Sequence, residues 1–174
     1  MTERPAAQDV ATRRGVVTTE DDGRQRLEFR RSWPDRIEDV WAALTEPDRL
    51  ARWIGIYEGS RGPGASGTFA MTQEEGEHAG SPTRILECDP PHRLVVEWVQ
   101  EDAENWRVDL DLWVEDGRTV LRFAQVLPAG PDVTDMALGW HWYLDKLGVE
   151  IGGGTPPADW DAFVAEVGPR YRPA

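Results

Sequence analysis

"ALGWHWYLDKLGVEI", residues 137–151, sets Trp140, His141, Trp142 and Tyr143 in consecutive positions, flanked by Gly139 and Asp145. At about 100° per residue, Met136, Trp140, Tyr143, Leu144, Leu147 and Ile151 fall on one broad stripe, and Leu138, Trp142 and Val149 on a second, narrower one. The spacing predicts a long helix from about Val133 to Ile151, stopped by the glycines of "GGGTPP". Both flanks of such a helix need cover. Gly139 weakens the helix, which makes sense if another element crosses closely there.

The text before this helix is mostly strand. "GVVTTEDDGRQRLEFRRSW" reads as a strand pair turning at Asp22-Gly23. In "PDRIEDVWAALTEPDRLARWIG", Ile37, Val40, Trp41 and Leu44 share one helical face, and the helix ends near Thr45. Pro47 opens a second short helix carrying Leu50, Trp53 and Ile54, and Gly55 stops it. A glycine-rich loop, "SRGPGAS", then leads into "GTFAMTQ", where Phe69 and Met71 alternate with polar neighbours.

"TRILEC" and "RLVVEWV" flank "DPPH", and "NWRVDLDLWVEDGRTVLRFAQVL" folds back at Asp116-Gly117. Its first strand puts Trp106, Val108, Leu110, Leu112 and Val114 on a buried face and Arg107, Asp109, Asp111 and Glu115 on a wet one. In its partner strand Leu121 and Phe123, with Gln125 on the same side, are read as inward. The closing "PADWDAFVAEVG" predicts a short amphipathic helix using Trp160, Phe163 and Val164, suited to cover the second stripe.

The expected fold is therefore α+β: a helix-grip arrangement of a curved antiparallel β-sheet wrapped around a long C-terminal α-helix, with two short helices after the first strand. Residues 1–13 hold almost no large hydrophobes and are expected to be a disordered tail; residues 14–151 form the domain, and residues 152–174 a C-terminal extension packed on it.

Composition narrows the function. A formal charge of −13 repels phosphate backbones and anionic headgroups, so neither nucleic acid nor a membrane is an expected partner. Cys88 has no second cysteine to pair with, no apolar run approaches the roughly 20 residues of a membrane span, and no signal peptide opens the chain. These features point to the cytoplasm.

"VWAALTEPDRLARWIG", "GRTVLRF" and "GWHWYLDKL" together resemble the bacterial homologues of the activator of the heat-shock-protein-90 ATPase, within the START-like (SRPBCC) superfamily. The resemblance runs from about Gly15 to Leu147 and implies the helix-grip fold, with Trp41, Trp53, Gly139, Trp140 and Leu144 at positions that pack the helix and shape a cavity. It implies no universal catalytic residue. Eukaryotic activators pair this domain with a separate partner-binding domain for which this chain has no room, which leaves chaperone contact doubtful.

His141, one turn before Asp145, is the tempting candidate base, yet it lies off the main stripe and reads as a helix-surface residue. His78 and His92 sit in loops. Three scattered His and one Cys supply no metal-ligand pattern, "GSRGPGASG" lacks the end of a phosphate loop, and Ser60, Ser66 and Ser81 lack a nucleophile elbow. "EEGEH" and "EDAEN" read as solvated hairpin tips. Neither metal nor cofactor is expected.

The nine tryptophans are the unusual feature, because rings of this size fill or line large interiors. The leading expectation is a non-enzymatic domain binding a small hydrophobic or aromatic molecule. Its cavity is expected to be lined by Trp53, Phe69, Met71, Trp98, Val108, Leu110, Leu121, Phe123, Gln125, Met136, Trp140, Tyr143 and Leu144. Two other readings stand beside it: a polyketide cyclase/dehydratase-like enzyme using His141, Gln125 or Tyr143, and a chaperone-associated interaction module using the second helical stripe. A homodimer is left open.

Overall fold

A computed structural model describes residues 13–76, 79–130 and 132–171. The expected tail thus falls outside the described residues except for Arg13, and so does His78. Strands β1 (Val16–Thr19) and β2 (Gln25–Trp33) are followed by helices α1 (Ile37–Thr45) and α2 (Pro47–Trp53). Next come β3 (Gly55–Gly59), β4 (Ser66–Met71), β5 (Ser81–Asp89), β6 (Arg93–Trp98), β7 (Trp106–Glu115) and β8 (Arg118–Leu127). Helix α3 (Thr134–Gly152), helix α4 (Trp160–Val167) and a short 3-10 turn at Gly168–Arg170 complete the order.

All eight strands form one antiparallel sheet in the order β1-β2-β8-β7-β6-β5-β4-β3, curved around α3 in a helix grip. Most neighbours are consecutive hairpins; the exception is β2 beside β8, which sets Phe29 opposite Phe123. Between Ile85 and Glu87 the β5–β6 register shifts at a bulge, a device that bends a sheet and re-aims side chains.

The core lies between the concave face and α3. Phe29 meets Phe123 edge-on with centroids 5.8 Å apart, and Phe123 touches Trp140 at 4.7 Å. Arg49 ties the helices together, reaching Glu150 of α3 at 2.9 Å and Asp39 of α1 at 2.8 Å. Trp53 Nε1 donates to the Ala43 carbonyl at 2.9 Å and locks α2 on α1.

Several expectations need correction. Strand β3 begins at Gly55, the expected helix stop, and runs through residues 56–59, for which the sequence predicts no element; its backbone runs so close to β4 that a Cβ on Gly55 would stand 2.1 Å from the Ala70 carbonyl oxygen. Val114, at the hairpin end of β7, is 60% exposed rather than inward. Gly139 is not crossed by any element, since a Cβ there would meet nothing within 4 Å. Glu74 is exposed, as expected of a solvated tip, yet its carboxylate also accepts from the Tyr143 hydroxyl at 2.7 Å.

Helix α4 covers Trp142 of the second stripe of α3, with Phe163 and Val167 buried, Val164 half-buried and Trp160 41% exposed, while Val149 of that stripe stays half-buried. Trp142 stands edge-on to Trp160 at 5.8 Å and donates its indole N–H to the Ala158 carbonyl at 3.0 Å. Arg13 is not a free tail residue, because its guanidinium lies 3.2 Å from Asp145 and its carbonyl accepts from Arg31.

A candidate ligand cavity

A cavity of about 410 Å³ opens between the sheet and the helices. Period-two alternation turns Leu94, Val96 and Trp98 of β6, and Val108 and Leu110 of β7, toward it. Tyr57 of β3 and Phe69 of β4 face it, with Thr83 and Ile85 of β5. Beyond the bulge the inward position passes to Cys88, so the acidic Glu87 is kept out. Phe123, Trp140 and Leu144 close the back; Trp41, Leu44, Thr45, Leu50, Trp53 and Ile54 form the helical side. Arg61, Gly62 and Pro90 complete the lining.

Most of this wall is hydrocarbon, and its few hydroxyls are already satisfied. Thr45 donates to the Trp41 carbonyl at 2.8 Å, Thr83 to the Ser81 carbonyl at 3.0 Å, and Tyr57 to the Ser60 carbonyl. Burial raises both the Cys88 thiol and the Tyr57 hydroxyl above their ordinary pKa values, so both are neutral near pH 7. The indole N–H of Trp98 has no hydrogen-bond partner among the described residues. Among the described residues, Arg61 is the one charged side chain of the lining, and no carboxylate or imidazole belongs to it.

Of the residues expected to line a cavity, Trp53, Phe69, Trp98, Val108, Leu110, Phe123, Trp140 and Leu144 are brought together here. The other five are placed elsewhere. Leu121 is fully buried in the core, and Gln125 stands behind Trp140, whose indole N–H it accepts at 2.8 Å. Tyr143 turns to Glu74, which with burial raises its pKa, burial being the larger cause. Met71 and Met136 are half-buried against the core. Alternation in "RLVVEW" was a signal for Leu94 and Val96; nothing in the sequence marked Arg61, Thr83 or Pro90.

His141 is the clearest correction, being fully buried instead of on the surface. Its ring packs against Phe29, Phe163 and Tyr171, because β2 and the C-terminal segment cover that side of α3. Nδ1 lies 2.9 Å from the Tyr171 hydroxyl, which accepts from the Gly15 N–H, and Nε2 is 3.6 Å from Asp145. Burial lowers the His141 pKa to about 4, outweighing the carboxylate's opposing pull. Asp145 is held by Arg31 at 2.7 Å. This network joins β2, α3 and the segments around Gly15 and Tyr171, and none of it reaches the cavity. His92 bonds the Leu112 carbonyl at 3.2 Å.

Among the described residues, no three His, Cys, Asp or Glu side chains gather as a metal site would require. No helix among them is long and apolar enough to cross a membrane.

Comparison with known proteins places the fold. CalU16 from Micromonospora echinospora is 25% identical, with a TM-score of 0.68 over 90% of this chain and 92% of that one. The protein encoded by gene BPP1335 from Bordetella parapertussis is 25% identical, with a TM-score of 0.72 over 99% and 95%. DynU16, of the dynemicin biosynthetic locus, shares the fold at 22% identity and a TM-score of 0.64 over 75% of this chain and 48% of that one. No curated protein sequence matches at a significant level. A family model described as "Activator of Hsp90 ATPase homolog 1-like protein" matches residues 36–152, from the start of α1 to the end of α3. By that match over most of its length, the chain belongs to the Activator of Hsp90 ATPase homolog 1-like family, within the START-like superfamily.

Proposed function

We propose that the protein binds a small hydrophobic or aromatic molecule in this cavity and does not transform it. The observation that carries the reading is the lining itself: an apolar space of ligand size, about 410 Å³, to which no described residue contributes a carboxylate or imidazole to move a proton. Its aromatic walls, with Trp98 edge-on to Phe69 at 5.7 Å, suit a flat apolar body.

The cyclase-like alternative asks His141, Gln125 or Tyr143 to act on the ligand, and each is engaged outside the lining. The interaction-module alternative needs the second stripe of α3 exposed, and α4 lies on its central residue, Trp142. A lone cysteine in an apolar wall fits a reducing cytoplasm.

The test is native mass spectrometry of protein purified from its own host, beside a Leu110→Trp variant whose added ring fills the cavity. Retention of a small molecule by the wild type and its loss from the variant is the expected result. Equal retention by both would put the ligand elsewhere and overturn the proposal.

A further inference from the structure

We propose that the molecule taken by the cavity is an amphipathic anion, whose apolar body lies inside and whose carboxylate meets Arg61 at the mouth. This rests on the ligand-binding reading above and narrows its chemical class.

Arg61 is exposed where the cavity opens, and among the described residues it is the only charged one of the lining. It has no ion pair among the described residues, although the chain carries 32 acidic residues against 19 basic ones. Most other arginines have found carboxylates, as Arg24 has Glu104, Arg49 has Glu150 and Arg93 has Asp109; Arg14, Arg118 and Arg170 also lack an ion pair among the described residues, but none of them lines the cavity. An unpaired cation in so acidic a protein leaves a full set of guanidinium donors free for a ligand.

The loop that carries it is tied down. Gly64 N–H donates to the Ile85 carbonyl and Ile85 N–H to the Ala65 carbonyl, both at 2.8 Å, while the Tyr57 hydroxyl holds the Ser60 carbonyl. The positive charge also acts on the wall, since Arg61 opposes the burial-driven rise of both the Cys88 and the Tyr57 pKa. A planar carboxylate matches the guanidinium fork with two parallel hydrogen bonds. A more highly charged phosphate would be left partly uncompensated by one arginine in a chain of net charge −13. Distant acids are screened beyond about 8–10 Å at ordinary ionic strength, so contact with Arg61 decides the local preference.

The experiment uses the neutral dye N-phenyl-naphthylamine as a fluorescent reporter, displaced by decanoate or by decanol, which share one hydrocarbon chain and differ in the charged head. Wild type, Arg61→Gln, Arg61→Lys and Leu110→Trp are compared at neutral pH and low salt. In Arg61→Gln the preference for decanoate relative to decanol is expected to fall about fivefold, the effect of one exposed ion pair. Arg61→Lys is expected to keep part of it, and added salt to shrink it in the wild type. An unchanged decanoate-to-decanol ratio in Arg61→Gln, with dye still bound and displaced, overturns the inference and leaves the cavity reading standing. Dye that does not bind the wild type, or binds Leu110→Trp equally well, overturns the cavity reading and the inference with it.

Discussion

Trp140 Nε1 donates a 2.8 Å hydrogen bond to Gln125 Oε1, pinning the middle of α3 to β8 behind the cavity. The same indole lies 4.7 Å from Phe123 and 6.2 Å from Trp98 by ring centroids, so one side chain joins helix, sheet and cavity wall. Replacing it removes packing and also strands Gln125, whose Nε2 already lacks a partner.

Trp140→Ala is therefore expected to destabilise the fold by roughly 3–5 kcal/mol, as large aromatic deletions in cores do. Urea melts of the two proteins measure it. A loss under about 1 kcal/mol would mean that the helix is held mainly elsewhere.

His141 gives stability a pH dependence whose sign follows from burial. Its ordinary pKa of 6.5 falls to about 4 in the fold, so between those values the unfolded chain binds a proton that the folded one refuses. The contribution is complete above about pH 6.5 and is lost as pH falls, reaching about 3 kcal/mol by pH 4. Wild type compared with His141→Gln across this range isolates the effect from the titrating carboxylates. A difference that does not vary with pH would show the imidazole to be freely protonated.

Asp145 is the counter-charge of Arg31, which is only 3% exposed, and also pairs with Arg13. Asp145→Ala is expected to cost about 3–5 kcal/mol by leaving the Arg31 guanidinium buried and unpaired. An Arg31→Met, Asp145→Leu double variant should lose less than Asp145→Ala alone, because no uncompensated charge remains. Chemical denaturation of the wild type and these two variants provides the comparison; a double variant that loses as much as Asp145→Ala would argue against the buried charge as the cause.

Gly139→Ala is expected to stabilise the protein by about 0.5–1 kcal/mol. The position is mid-helix and a Cβ there meets nothing within 4 Å, so alanine gains helix propensity without a clash. A lowered melting temperature would reveal a crowding partner or a need for flexibility at this turn.

Local patterns carried most of the architecture. Alternation in β7 and β8 placed Val108, Leu110, Leu121 and Phe123 on one face, and the 3.6-residue period of α3 marked Trp140 and Leu144 as inward. The strand Gly55–Gly59 escaped because only five residues, with Ile56 pointing outward, leave too short a pattern to separate from a loop. His141 was misplaced because a helical wheel predicts which side is apolar; it cannot see β2 and Tyr171 arriving to cover a polar side.

Element type, hairpin turns and inward faces were thus properties of neighbouring residues, since each depends on a period of 2 or about 3.6 and on turn chemistry within a few positions. The cavity was not. Cys88 faces it because a bulge shifts β5, Tyr143 leaves it because Glu74 arrives from a distant loop, and Arg61 stands at its mouth because backbone bonds from β5 hold its loop there. Each of these is a contact between residues far apart along the chain, and a period in sequence carries no record of such distances.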